Sequence, residues 1–241
     1  MDSMVELARS GTAGREVVVR AGKRTLAGTL TMPRGARSIV LFGHDGGRGH
    51  DGEANAEFGR ALGRAGIASL VFDLLTLEED ADDSGELGIH LDVLANRIVG
   101  AAEWIKELPE ARALRVGLFG ARGGAAAALV AAIKKPDVGA VVLRGGRCEL
   151  AGSALERLAA PTLLMVGGAD PPMLHLVRAA QARMSAPNEV LVIPGATHRF
   201  DEPGVPETAA NAACAWFNGH LGPANGGSNL RAAPRRGTRR K

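Results

Sequence analysis

Short apolar runs alternate with longer amphipathic stretches along most of this chain. Ahead of that pattern, residues 16–20 and 24–31 alternate apolar and polar positions around Ala21-Gly22-Lys23, which predicts an antiparallel hairpin. The runs at 38–42, 67–72, 114–119, 138–143, 161–166 and 189–193 are short and continuous, as strands buried on both faces should be. Between them, 53–65, 89–108, 123–134, 172–184 and 207–221 carry helical spacing. In 89–108, Leu91, Leu94, Ile98, Ala102 and Ile105 fall on one face. A shorter helix is predicted over 150–158, and the acidic stretch 73–88 reads as loop. Strand–helix alternation predicts right-handed crossovers and a mostly parallel sheet with helices on both faces, the leading hairpin forming an antiparallel edge. The chain divides into a flexible N-terminus at 1–14, one α/β domain over 15–221 and a basic, disordered tail at 222–241.

Composition changes this picture in two places. Hydrophobic residues are 46% of the chain but aromatics only 3%, with no Tyr, so the core must be built from Ala, Val, Leu and Ile. The net charge of +3 suggests a polyanion partner until it is located. Arg231, Arg235, Arg236, Arg239, Arg240 and Lys241 all lie in the tail; without them 23 basic residues face 26 acidic ones. Weak polyanion contact is therefore an expectation for the tail alone. The two cysteines, Cys148 and Cys214, have no metal-ligand or disulfide spacing, so neither a metal nor a cofactor is expected. The first residues lack an apolar signal core, and no run of about 18 apolar residues exists. The expectation is a soluble, cytoplasmic protein that does not engage a membrane.

In such a sheet, function sits in the loops at the carboxyl ends of the strands. The strand at 114–119 runs into Gly120-Ala121-Arg122-Gly123-Gly124 and an Ala-rich helix, the frame of a nucleophile elbow. Its central side chain is a guanidinium, which stays protonated and cannot attack a carbonyl. No serine lies on the elbow, and Cys148 is a weak substitute. Asp170 follows the strand at 161–166 and His198 follows the strand at 189–193. That chain order matches the acid and base of a hydrolase triad. His44, Asp45 and Gly46 follow the first strand of the alternating region, where an oxyanion loop would stand, with Gly123 as a further donor. Arg144 and Arg147 follow the strand next to the elbow.

These stretches resemble the dienelactone hydrolase-like branch of the α/β-hydrolase superfamily, and within it a bacterial group found alone or joined to a phosphoribosyltransferase domain. The resemblance is carried by LVFDLLTLEED at 70–80, GLFGA at 117–121, GAAAALVAA at 124–132, GAVVLRGGR at 139–147, APTLLMVGGAD at 160–170 and PGATHRF at 194–200. It runs from the hairpin to Leu221, and no phosphoribosyltransferase domain is expected within these residues. The resemblance implies carboxylester or lactone hydrolase ancestry, with Asp170 and His198 matching the family acid and base. Two positions depart. Relatives carry Gly-Ala-Ser-Thr-Gly at the elbow, where this chain has Arg122. They carry His-Gly-x-Gly in the oxyanion loop, where this chain has His44-Asp45-Gly46-Gly47.

Three functions follow as expectations. The chain is a hydrolase of small esters or lactones, inactive or weakly active without its serine. Or it is a non-catalytic protein that binds a small carboxylate or phosphate through Arg122 at a helix N-terminus, with Arg144 and Arg147 assisting. An interaction module using the tail has least support. Against the anion site stands a simpler arrangement, which the residues favour: Arg122 pairs with Asp170 or Asp45 and plugs the old site.

Overall fold

In the computed structural model, which describes residues 14–44, 53–82 and 91–222, eight strands form one sheet. They are β1 (Arg15–Ala21), β2 (Arg24–Thr31), β3 (Ser38–His44), β4 (Ala68–Asp73), β5 (Arg115–Ala121), β6 (Ala140–Arg144), β7 (Thr162–Gly167) and β8 (Asn188–Ile193). The order across the sheet is β1-β2-β4-β3-β5-β6-β7-β8. The β1–β2 and β2–β4 pairs are antiparallel and the rest are parallel. The predicted fold class is the observed one.

Period-two alternation divides the apolar side chains between two cores. Ile39 and Leu41 of β3 enter the core under α3 (Leu91–Glu107), α4 (Gly124–Lys134) and α6 (Pro171–Arg183). Val40 and Phe42 enter the opposite core, under α1 (Glu53–Arg64) and α7 (Val205–Leu221). In β6 the same rule sends Val141 and Leu143 one way and Ala140 and Val142 the other. Helix α4 lies against the sheet through a run of alanines, Ala125 to Ala128 all buried. Small side chains let helix and sheet backbones approach closely, which is how a chain poor in aromatics fills its core.

One predicted loop contains a helix. Within 73–88, α2 spans Leu77–Asp82. Its start is a reciprocal cap: the Thr76 N–H donates to Glu79 Oε2 at 3.0 Å, and the Glu79 N–H donates to Thr76 Oγ1 at 3.2 Å. The signal was a Thr-x-x-Glu pair hidden in an acidic run. The predicted helix at 150–158 is split into a 3-10 turn at Cys148–Ala151 and α5 at Ala154–Arg157, separated by Gly152 at φ +58°. Asp45, Gly46, most of the expected flexible N-terminus and all but the start of the basic tail lie outside the described residues. Among the described residues, no helix is long and apolar enough to cross a membrane.

Candidate functional site

The chain leaves β3 on one side and enters β5 on the other, so the loops after these neighbours flank a crevice. The turn from β5 into α4 forms one wall. Arg122 sits at its apex with φ +52°, in the left-handed region that costs a non-glycine residue on the order of 1 kcal/mol. Small flanking residues are a steric requirement. A Cβ on Gly120 would lie 2.9 Å from Ala125 Cα, and one on Gly124 would lie 2.8 Å from the Gly43 carbonyl oxygen. Gly146, at φ +84°, lets the loop after β6 press on the Arg122 carbonyl. The apex is thus held by packing from both sides, and its side chain stands exposed above the sheet.

A cavity of about 240 Å³ opens there, lined by His44, Asn55, Ala121, Arg122, Arg144, His198, Arg199 and Asp201. Three loops supply its predicted members. His44 ends β3. Arg144 ends β6, paired in register with Ala121 of β5. His198 follows β8 in a loop held by the Thr197 N–H, which donates to Glu202 Oε1 at 2.8 Å. Two residues further on, Phe200 is a second strained position, at φ +56° and buried.

Among the described residues the charges are not balanced. Arg199 is neutralised by Asp201 at 2.6 Å. Arg122 and Arg144 have no hydrogen bond or ion pair to any acid among the described residues. Arg144 is partly buried, its guanidinium carbon 5.6 Å from the centre of the Phe119 ring. Burial, and then the nearby Arg122 charge, lower its proton affinity below the ordinary arginine value. Two cations therefore face one small cavity at the N-terminus of α4, where backbone N–H groups add positive potential.

Other expected members are elsewhere. Asp170 caps α6: its carboxylate accepts from the Met173 N–H at 3.2 Å. It makes no hydrogen bond or ion pair with His198, nor with Arg122. The loops after β7 and β8 are joined through backbone instead, with the Ala169 N–H donating to the Ala196 carbonyl at 2.9 Å. The plug between Arg122 and Asp170 is thus absent, because Asp170 serves its own helix. Arg147 does not line the cavity; its Nε donates to Glu149, two residues away, at 2.6 Å. Gly123 follows the apex, exposed at the start of α4. Cys148 is buried, and burial pushes its thiol up to about 11, so it holds almost no thiolate at neutral pH. Asn55 and Asp201 are lining residues that no motif announced, and Arg199, which pairs with Asp201, lies in the 194–200 stretch beside the expected His198.

Strand order, elbow and loop positions define the α/β-hydrolase class. The chain belongs to the dienelactone hydrolase family within it, whose sequence profile matches residues 26–220. A crystal structure of a dienelactone hydrolase from Anabaena variabilis is 40% identical, with a TM-score of 0.84, covering 88% of this chain and 100% of that one. A Mycobacterium tuberculosis protein that carries the provisional name of a phosphoribosyl transferase is 45% identical over 214 residues, which cover 88% of this chain and 48% of that protein. The chain thus matches about half the length of that relative. Est1E from Butyrivibrio proteoclasticus shares the fold at 14% identity, with a TM-score of 0.71 over 87% of this chain and 99% of that one.

Proposed function

We propose that this chain keeps the dienelactone hydrolase scaffold without its serine chemistry, and that the cavity above the elbow binds a small carboxylate or phosphate. One observation carries this reading: Arg122 and Arg144 share a cavity with no acid to neutralise either of them among the described residues. A buried or half-buried charge left unpaired costs stability. An anionic ligand would recover that cost through charge-assisted hydrogen bonds, and arginine forks suit planar or tetrahedral oxyanions. Arg122 stands where the nucleophile of a working hydrolase would be, and among the described residues no serine lines the cavity. His198 lacks an orienting bond from Asp170, so this carboxylate does not set its tautomer.

A second reading has one observation in its favour, that His198 lines the same cavity. Water activated by His198 would then give slow ester hydrolysis, since a site short of a triad member keeps about 10³-fold catalysis over water. Turnover of a nitrophenyl ester separates the two. The wild type is expected to show none that depends on His198, and no labelling of the elbow by a fluorophosphonate. Brisk turnover abolished by His198→Ala would contradict the proposal. In parallel, phosphate or a small carboxylate is expected to raise the melting temperature of the wild type and not of Arg122→Ala.

A further inference from the structure

Arg144 lines two cavities. Besides the 240 Å³ cavity at the elbow, it forms a wall of a second one of about 530 Å³, whose other walls come from α1 and the start of α7. Strand register explains the sharing. Arg144 alternates with Val142, so its side chain leaves the sheet on the face covered by α1 and α7 and reaches over Phe119. The second cavity has an apolar floor of Phe58, Ala61 and Ala210. Its rim carries Glu57, Arg64, Glu207 and Asn211. Glu57 is already spent on Arg60 and Arg64, each at 2.8 Å. The Glu207 carboxylate accepts no hydrogen bond among the described residues, and Asn211 beside it is exposed.

We infer that the ligand is a phosphate monoester with a hydroxylated body, its dianionic head between Arg122 and Arg144 and its body in the α1–α7 cavity with hydroxyl groups toward Glu207 and Asn211. This rests on the anion-binding reading above and adds the ligand's size, polarity and direction. Two guanidinium groups without an acid partner among the described residues match a dianion better than a single carboxylate. The elbow cavity alone is smaller than the roughly 300–1,000 Å³ of ordinary small-molecule sites, whereas the second cavity falls within that range. The Arg64 charge at that rim is met by Glu57, whereas the Glu207 carboxylate opposes an anion there and accepts from hydroxyl groups, which favours this direction for the ligand.

Glucose 6-phosphate, inorganic phosphate, glucose and glucuronate serve as probes in calorimetric titrations of the full chain. Glucose 6-phosphate is expected to bind about tenfold or more tighter than phosphate, the scale of one well-made polar contact, while glucose alone does not bind. Glucuronate, with a singly charged head on the same ring, is expected to be weaker than glucose 6-phosphate. Ala210→Leu fills the floor and Glu207→Gln alters only the exposed rim. Both should shrink the advantage of glucose 6-phosphate toward twofold or less while phosphate binding, which uses the two arginines, stays. Phosphate binding with no added affinity for glucose 6-phosphate would overturn this inference and leave the anion site standing. An advantage that survives both substitutions would overturn the placement of the body, and equal binding of glucuronate would overturn the dianionic head. No binding of either phosphate would overturn both readings.

Discussion

Two arginines on opposite faces of the same sheet are treated in opposite ways. Arg97, on α3, is buried and paired: it donates to the Leu74 carbonyl and to both oxygens of Glu79, the latter bonds at 2.7 Å. Glu79 also belongs to the cap of α2, so one side chain ties the strand exit at β4 to two helices. Arg144, on β6, is partly buried and meets a ring face and another cation instead of an acid. The first arrangement closes its own charge balance and needs nothing from outside. The second has no acid to pair with among the described residues. A cation that structure needs is paired within the chain; a cation kept at a stability cost at the carboxyl edge of the sheet is what the proposed ligand site rests on.

The sharpest way to break this contrast is to unpair Arg97. Glu79→Gln strands a buried guanidinium and is expected to cost about 3 kcal/mol, near the lower end for a broken buried pair. For a domain of this size that lowers the melting temperature by about 10 °C, readable in a thermal melt. A loss below about 1 kcal/mol would place Arg97 with ordinary surface cations.

Acid titration tests the same pair without mutation. The hydrogen bonds from Arg97 hold the Glu79 carboxyl down to about 2, against an ordinary 4.5. The folded value lies below the unfolded one, so this stabilisation is complete above pH 4.5 and is lost as pH falls toward 2. Glu79 keeps 19% of its side-chain surface exposed, which screens the pair, so about 2 kcal/mol should disappear across that window. Chemical denaturation of wild type and Glu79→Gln at falling pH should therefore converge, and a constant gap would contradict the assignment.

Arg144→Met is expected to have the smallest effect on stability, within about 1 kcal/mol of wild type and on the stabilising side. It removes a desolvated, repelled charge while keeping the apolar contact with Phe119. Relief of the elbow by Arg122→Gly should add a gain of similar size, since glycine accepts φ +52° freely. A loss of several kcal/mol from Arg144→Met would make it a structural residue like Arg97.

The sheet was legible because strands covered on both faces must be continuously apolar, and all eight fall within about two residues of the boundaries expected from the pattern. Helix α2 was missed because capping, rather than periodicity, starts it. At the candidate site, His44, Arg122, Arg144 and His198 line one cavity because topology alone carries loops at strand ends to one edge. Asp170 and Arg147 stay out of the cavity for local reasons that strand order does not encode: one caps its own helix, and the other has an acid two residues away. Asn55 and the α1–α7 cavity depend on how two distant helices lie against the sheet, so no motif could announce them.

The elbow arginine and Arg144 are proposed to hold an anion that the described residues do not supply. Calorimetric titration of inorganic phosphate into wild type and Arg144→Met at neutral pH tests it directly. Saturable binding by the wild type, weakened about tenfold or more in a variant that melts no lower, is the predicted result. Equal affinity in the two proteins would contradict it.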